Sequence, residues 1–215
     1  NMSINNVTKS IIETYTEFNS LKNYQASIIL QNGARPSYFE ARPIPIHLQP
    51  AVVEKLRKMI DQGILESVPP GGSRWASPMV VVRKADGQFR ICADYKVGVN
   101  PKICCDSYPT PHIESAFCNF AGMTHFAKID LTDAYNQLVL DENSREITTM
   151  NTPIGLLRWK RLPFGIKTAS AQFQRALEKT IGGCVKEMVI YQDGVGIGRK
   201  GELDLSMKVE RVLQR

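Results

Sequence analysis

Apolar residues recur along this chain in two rhythms, one helical and one of short runs closed off by turn residues. After Pro50, the positions Val52, Val53, Leu56, Met59 and Ile60 fall at helical spacing until Gly63. That pattern predicts an amphipathic helix with proline in its first turn and glycine as its stop. Thr168 to Ile181 predicts a second helix, with Thr168 or Ser170 as N-cap and Gly182-Gly183 as terminator. A closing helix is expected from Glu202 to Gln214, with Leu205, Val209, Val212 and Leu213 on its apolar side, and a short one from Ile113 to Phe120. Strands are expected at Tyr24 to Leu30 before the turn Gln31-Asn32-Gly33, and at Met79 to Val82 and Gln88 to Cys92 about Asp86-Gly87. Others are expected at Phe126 to Asp130, at Leu138 to Leu140, and at Thr148 to Met150 and Leu156 to Trp159, which flank a turn-rich connection from Asn151 to Gly155. A last hairpin spans Val185 to Ile197 around Tyr191-Gln192-Asp193-Gly194. Arg35 to Pro50 holds four prolines and should run extended, and Pro69-Pro70-Gly71-Gly72 breaks the chain. Antiparallel strands alternating with helices packed on one face make an α+β fold.

Composition narrows the class. Hydrophobic residues make up 43% and charged residues 22% of 215 residues, an ordinary globular balance. Asn1 to Ser20 is polar and Asn-rich, and reads as a linker or the tail of a preceding region. The excess of basic residues, 27 − 21 = 6, and a pI near 9.1 suit a polyanionic partner without identifying one. The five cysteines, Cys92, Cys104, Cys105, Cys118 and Cys184, contain no C-x-x-C pair, so neither a disulfide framework nor a zinc module is indicated. The expected compartment is reducing and intracellular. No window approaches the roughly 18 apolar residues that span a bilayer, so no membrane partner is expected. The chain begins with Asn1, not methionine, which suits a piece of a polyprotein.

Two carboxylates end predicted strands far apart in sequence: Asp130 after Phe126-Ala127-Lys128-Ile129, and Asp193 at the tip of the last hairpin. Brought together, such groups can hold a pair of divalent cations, and two ions about 3.5–4 Å apart activate one oxygen and stabilise another in phosphoryl transfer. Taken singly, an Asp beside a Gly in a hairpin is ordinary turn chemistry. The text around the two residues changes their weight. Asp130-Leu131-Thr132-Asp133-Ala134-Tyr135-Asn136-Gln137-Leu138, then Arg161-Leu162-Pro163-Phe164-Gly165-Ile166-Lys167-Thr168-Ala169-Ser170-Ala171-Gln172-Phe173-Gln174, then Tyr191-Gln192-Asp193 resemble, in order and spacing, three core motifs of reverse transcriptases. The likeness is to the Pol polyproteins of gypsy-class LTR retrotransposons and runs from about Leu21 to the last residue. Ala41-Arg42-Pro43-Ile44-Pro45, Gly63-Ile64-Leu65-Glu66, Trp75-Ala76-Ser77-Pro78 and Arg90-Ile91-Cys92-Ala93-Asp94-Tyr95-Lys96 support it.

The resemblance implies the fingers and palm of a right-hand polymerase, with an antiparallel palm sheet, helices on one face and no thumb. Residues 1–20 would be the polyprotein junction, 21–125 mainly fingers with the entry to the palm, and 126–215 mainly palm, interleaved in one domain. The implied activity is RNA-directed DNA polymerisation: binding of an RNA or DNA template-primer and two-metal nucleotidyl transfer from deoxynucleoside triphosphates. Mg²⁺ would be the cofactor, with Mn²⁺ as a substitute. Thumb, connection and RNase H regions of a longer polyprotein would be partners, in a cytoplasmic particle or the nucleus.

Carried over residue by residue, Asp130 and Asp193 are the catalytic metal ligands, helped by the Leu131 carbonyl. Lys84 and Arg90 would hold the triphosphate, with Asp133 and Ala134 beside it. Tyr135 would lie under the incoming sugar and reject a 2′-hydroxyl; outside the motif it would be read as a core aromatic. Phe164 and Gly165 would floor the nucleotide and template base. Lys167, Gln172, Tyr191 and Gln192 are candidate template-primer contacts, although a surface helix needs polar residues for solubility in any case. One position departs from the family. Its hairpin normally reads Tyr-x-Asp-Asp, and here the fourth residue is Gly194. With three carboxylates reduced to two, the resemblance implies weak Mg²⁺ capture and a severely impaired polymerase. The alternatives are a catalytically dead or co-opted nucleic-acid-binding module, and a structural fragment that associates with a polymerase or capsid partner.

Overall fold

The computed structural model describes residues 21, 24–83, 87, 89–106, 108, 112, 114 and 118–214. The expected N-terminal linker and most of the helix expected over Ile113 to Phe120 lie outside the described residues. In chain order the elements are β1 (Gln25–Ala26), α1 (Gln49–Asp61), β2 (Leu65–Ser67), β3 (Ser77–Arg83), β4 (Phe89–Ala93), β5 (His125–Asp130) and β6 (Val139–Leu140). They continue with α2 (Glu142–Ile147), β7 (Met150–Thr152), β8 (Gly155–Trp159), α3 (Ala169–Ile181), β9 (Met188–Tyr191), β10 (Gly194–Arg199) and α4 (Glu202–Leu213). The chain divides into two units, one of Ser20–Asp106 with Tyr135–Ala169, the other of Asn1–Asn19, Ser107–Ala134 and Ser170–Arg215.

The first unit is built on a five-stranded sheet of order β2-β8-β7-β3-β4. β3 and β4 pair antiparallel from Met79↔Ala93 to Arg83↔Phe89, and β7 and β8 pair antiparallel about the two-residue turn Pro153-Ile154. β3 and β7 run parallel, with Ser77 opposite Met150. Trp75, Trp159, Tyr95, Leu65, Met150 and Leu157 are buried in this unit. The helical spacing read after Pro50 is realised in α1, whose Val52, Leu56 and Met59 are buried. Burying a side chain such as Leu56 contributes about 1.5–3 kcal/mol.

The second unit holds a three-stranded antiparallel sheet of order β5-β10-β9. Side chains alternate across a strand, so in β10 the buried Val195 and Ile197 take one face, and Gly194, Gly196 and Gly198 take the other. The last two glycines make room for a neighbour. A β-carbon at 198 would stand 2.5 Å from Met123 Sδ and 2.7 Å from Phe120 Cδ1, and one at 196 would stand 3.2 Å from Phe120 Cζ. Phe120 in turn meets Phe126 edge-on, their centroids 5.8 Å apart. From α3, Phe173, Ala176, Leu177 and Ile181 are buried. The Gln174 amide donates to the Ile190 carbonyl at 2.9 Å, tying α3 to β9. In α4, Leu205 and Val212 are buried. Arg199 pairs with Glu187 at 2.8 Å and Asp204 at 3.2 Å, which joins β10 to α4.

Three features differ from the sequence reading. The strand expected over Tyr24 to Leu30 is two residues long, because the run passes between partners. β1 pairs parallel with β6, the Ile28 N–H donates to Ser144 Oγ at 2.7 Å, and Leu30 bridges Ile103. Second, α2 was not foreseen; Asp141 caps it, accepting from the Ser144 N–H at 2.8 Å. Third, the five-stranded sheet is mixed, not purely antiparallel, while the three-stranded sheet has the antiparallel form expected of the palm. Among the described residues, no helix is long and apolar enough to cross a membrane.

Candidate active site

In the three-stranded unit, β5 ends at Asp130, and β10 begins directly opposite it, with Gly194 the register partner of Asp130. The turn between β9 and β10 is Gln192-Asp193, closed by the pair Gly194↔Tyr191. Gln192 takes a left-handed φ of 55°, uncommon for a residue with a β-carbon. The Leu131 N–H donates to the Asp193 carbonyl at 3.0 Å. Asp130 and Asp193, 63 positions apart in sequence (193 − 130), are therefore neighbours at one end of the sheet.

Position 194 is open. A β-carbon there would meet nothing closer than Asp130 Oδ1 at 3.6 Å, Lys128 Cε at 3.7 Å and the Tyr191 carbonyl at 3.7 Å, all ordinary contacts. The backbone would accept the aspartate of the family pattern, so the missing carboxylate is a difference of side chain alone. Asp130 already has a basic partner, because Lys128 Nζ lies 2.7 Å from its Oδ1. The hydrogen bond and charge of Asp130, with a further contribution from Asp193, hold the Lys128 ammonium above the usual lysine range.

Among the described residues, no group of three or more His, Cys, Asp or Glu side chains is placed to hold a metal ion. Asp130, Asp193 and the Leu131 carbonyl nevertheless offer hard oxygen donors at adjoining strand ends, the type that Mg²⁺ takes while keeping water and phosphate in its other positions. The donor chemistry fits a divalent cation; the number of carboxylates is low for two.

The five-stranded unit carries Arg90, Tyr135, Phe164 and Gly165 of the residues expected at the nucleotide, while Asp133 and Ala134 belong to the other unit. The Arg90 guanidinium stacks over the Phe164 ring at 4.5 Å, and Tyr135 packs against the same ring with centroids 4.9 Å apart. A cation over an aromatic face is attracted by about 0.5–1 kcal/mol at exposed sites. Phe164 sits in a turn with Gly165, whose φ of 91° favours glycine. Asn100 fastens this turn from both sides. Its Nδ2 donates to the Gly165 carbonyl at 2.8 Å, and its Oδ1 accepts from the Lys167 N–H at 2.9 Å.

The remaining sequence candidates are placed as follows. Lys84 lies outside the described residues. Asp133, at φ 47°, is exposed, and Ala134 is buried. Lys167 is exposed, with its ammonium 3.1 Å from Cys105 Sγ. Gln172 is only 5% exposed, so its amide serves the interior and offers no surface to a template strand. Tyr191 is half-buried and Gln192 exposed at the hairpin. Sequence reasoning missed Asn100 and Lys128. For Lys128 the signal was present, since residues two apart on a strand share a face and Asp130 is two apart. For Asn100 there was none beyond a polar residue before Pro101.

Comparison with known proteins bears on the family and the fold. The family model described as reverse transcriptase (RNA-dependent DNA polymerase) matches residues 82–215. The uncharacterized protein K02A2.6 of Caenorhabditis elegans is 34% identical over 79% of this chain, and the retrovirus-related Pol polyprotein from transposon gypsy of Drosophila melanogaster is 31% identical over 83%. The chain spans 13% and 18% of the lengths of those relatives. In fold it is similar to a foamy viral protease-reverse transcriptase solved in complex with double-stranded DNA. That likeness has a TM-score of 0.82 and 19% identity, and covers 97% of this chain and 37% of that one.

Proposed function

The chain belongs to the reverse transcriptase family, and from that premise we propose that it is the fingers and palm of a gypsy-like retroelement's RNA-directed DNA polymerase, impaired at its metal-binding hairpin. The observation that carries this reading is the register that sets Asp130 beside the Gln192-Asp193 turn. In this proposal Asp130 and Asp193, with the Leu131 carbonyl, hold divalent cation. Bound there, Mg²⁺ or Mn²⁺ would supply Lewis acidity at the primer hydroxyl and charge neutralisation at the phosphates.

The chain's own groups do the rest. Lys84 and Arg90 bind the triphosphate of a deoxynucleotide, with charge-assisted bonds that stabilise the departing pyrophosphate. Asp133 and Ala134 border the nucleotide. Tyr135 supports the sugar and excludes a 2′-hydroxyl, while Phe164 and Gly165 floor the base. Tyr191, Gln192 and Lys167 contact template-primer without reading sequence. Gly194 leaves cation capture to two carboxylates, which is the reason to expect weak activity. The foamy viral relative was solved with double-stranded DNA, a nucleic-acid partner of the kind proposed for this chain.

The test is primer extension on an RNA template with Mg²⁺ or Mn²⁺, comparing the chain with Gly194→Asp. The proposal expects at least about tenfold more extension from the Asp variant, the scale on which groups supporting a metal site act. Equal, robust extension by both would overturn the impairment. A second reading, a nucleic-acid-binding module without catalysis, is favoured by Gly194 itself. It would be upheld by salt-sensitive template-primer binding with no extension from either protein.

A further inference from the structure

Lys128 and Asp130 alternate onto the same exposed side of β5, with side chains 73% and 69% exposed, and Lys128 Nζ lies 2.7 Å from Asp130 Oδ1. Gly194 is the register partner of Asp130, and Gly196 that of Lys128, so the neighbouring strand presents no side chain to either. The Lys128 chain also borders the open position, its Cε 3.7 Å from where a β-carbon at 194 would stand. A lysine ammonium thus occupies an oxygen of one of the two carboxylates proposed to take a divalent cation.

We infer that Lys128 is a resident counter-ion that competes with divalent cations for Asp130, so that cation capture at this hairpin is set by Lys128 as well as by Gly194. The inference rests on the reading of Asp130 as a cation ligand. A hard cation takes carboxylate oxygen, and the ammonium must leave Oδ1 before that oxygen is free. The pair is exposed and screened by water, so the competition is modest, about two- to fivefold in apparent affinity. With glycine at 194 the register position opposite Asp130 carries no acid to draw the ammonium away. An aspartate there would act twice, adding a ligand and offering Lys128 a second anion.

The experiment is a Mn²⁺ titration of the whole chain, with free Mn²⁺ read by electron paramagnetic resonance and no nucleic acid or nucleotide present. Lys128→Met, Lys128→Arg and Asp130→Asn are compared with the parent. The inference expects Lys128→Met to bind Mn²⁺ about two- to fivefold more tightly, and Lys128→Arg, which keeps the charge, to stay close to the parent. Unchanged or weaker binding by Lys128→Met, with binding lost in Asp130→Asn, overturns the inference and leaves the cation site standing. Binding that survives Asp130→Asn intact overturns both.

Discussion

A β-carbon is tolerated at position 194 and not at position 198, although both glycines lie on the same face of β10. At 198 it would collide with Met123 Sδ at 2.5 Å and Phe120 Cδ1 at 2.7 Å, whereas at 194 its nearest neighbour is 3.6 Å away. Gly198→Ala should therefore destabilise the chain by about 1–3 kcal/mol, and Gly194→Ala should change stability by no more than about 0.5 kcal/mol. Urea denaturation of the two variants measures both, and equal midpoints would refute the packing argument. Asn100 makes a further prediction at this scale. Asn100→Ala removes both bonds that fasten the Phe164-Gly165 turn and should cost about 1 kcal/mol. Asn100→Asp keeps the acceptor for the Lys167 N–H but sets a carboxylate oxygen against the Gly165 carbonyl, so its midpoint should fall no higher than that of the alanine variant. In a Gly194→Asp background, both should raise the KM for deoxynucleotide more than they lower kcat if the turn positions Phe164 and, through it, Arg90.

Among the elements, α2 depends on its cap. Asp141 is partly buried, which raises its pKa, but hydrogen bonds from the Ser144 N–H, the Ser27 and Ser144 side chains and the Asn143 N–H outweigh burial and hold it below the usual aspartate range. A carboxyl whose folded pKa is depressed contributes stability above its unfolded pKa of about 3.9 and loses it as pH falls through the lower folded value. Asp141→Ala should cost about 1 kcal/mol at neutral pH. The deficit should shrink below about pH 4, as urea midpoints across a pH series would show. The same helix marks where the sequence was hard to read. Its six residues are too few to display a period, and a lone Asp141 ahead of them does not announce a helix. α1, α3 and α4 each run for at least three turns, with an apolar stripe and a glycine stop or start, and were legible within a residue or two. The β9–β10 hairpin was legible because its turn residues interrupt an apolar run. The parallel pairing of β3 with β7 was not, because register between strands some 70 residues apart leaves no local trace. The candidate site divides likewise. Motif residues marked Asp130, Tyr135 and Phe164, while the Lys128 ion pair and the Asn100 clamp arise from tertiary placement.

For the whole molecule, a net charge of +6 predicts that template-primer binding weakens steeply with salt. The logarithm of the affinity should fall linearly with the logarithm of salt concentration, with a slope of about −0.9 for each phosphate neutralised on a duplex. Fluorescence anisotropy of a labelled primer-template measures that slope, and a salt-independent affinity would exclude a phosphate-based contact. The chain also crosses between its units at 19/20, 106/107, 134/135 and 169/170, so neither unit is one continuous segment. Its two tryptophans, Trp75 and Trp159, are both buried in the five-stranded unit. Indole emission is consequently a private signal of that unit. A spectral shift on adding deoxynucleotide would report a change around Trp75 or Trp159, while the end of the three-stranded sheet that bears Asp130 has no such lamp of its own.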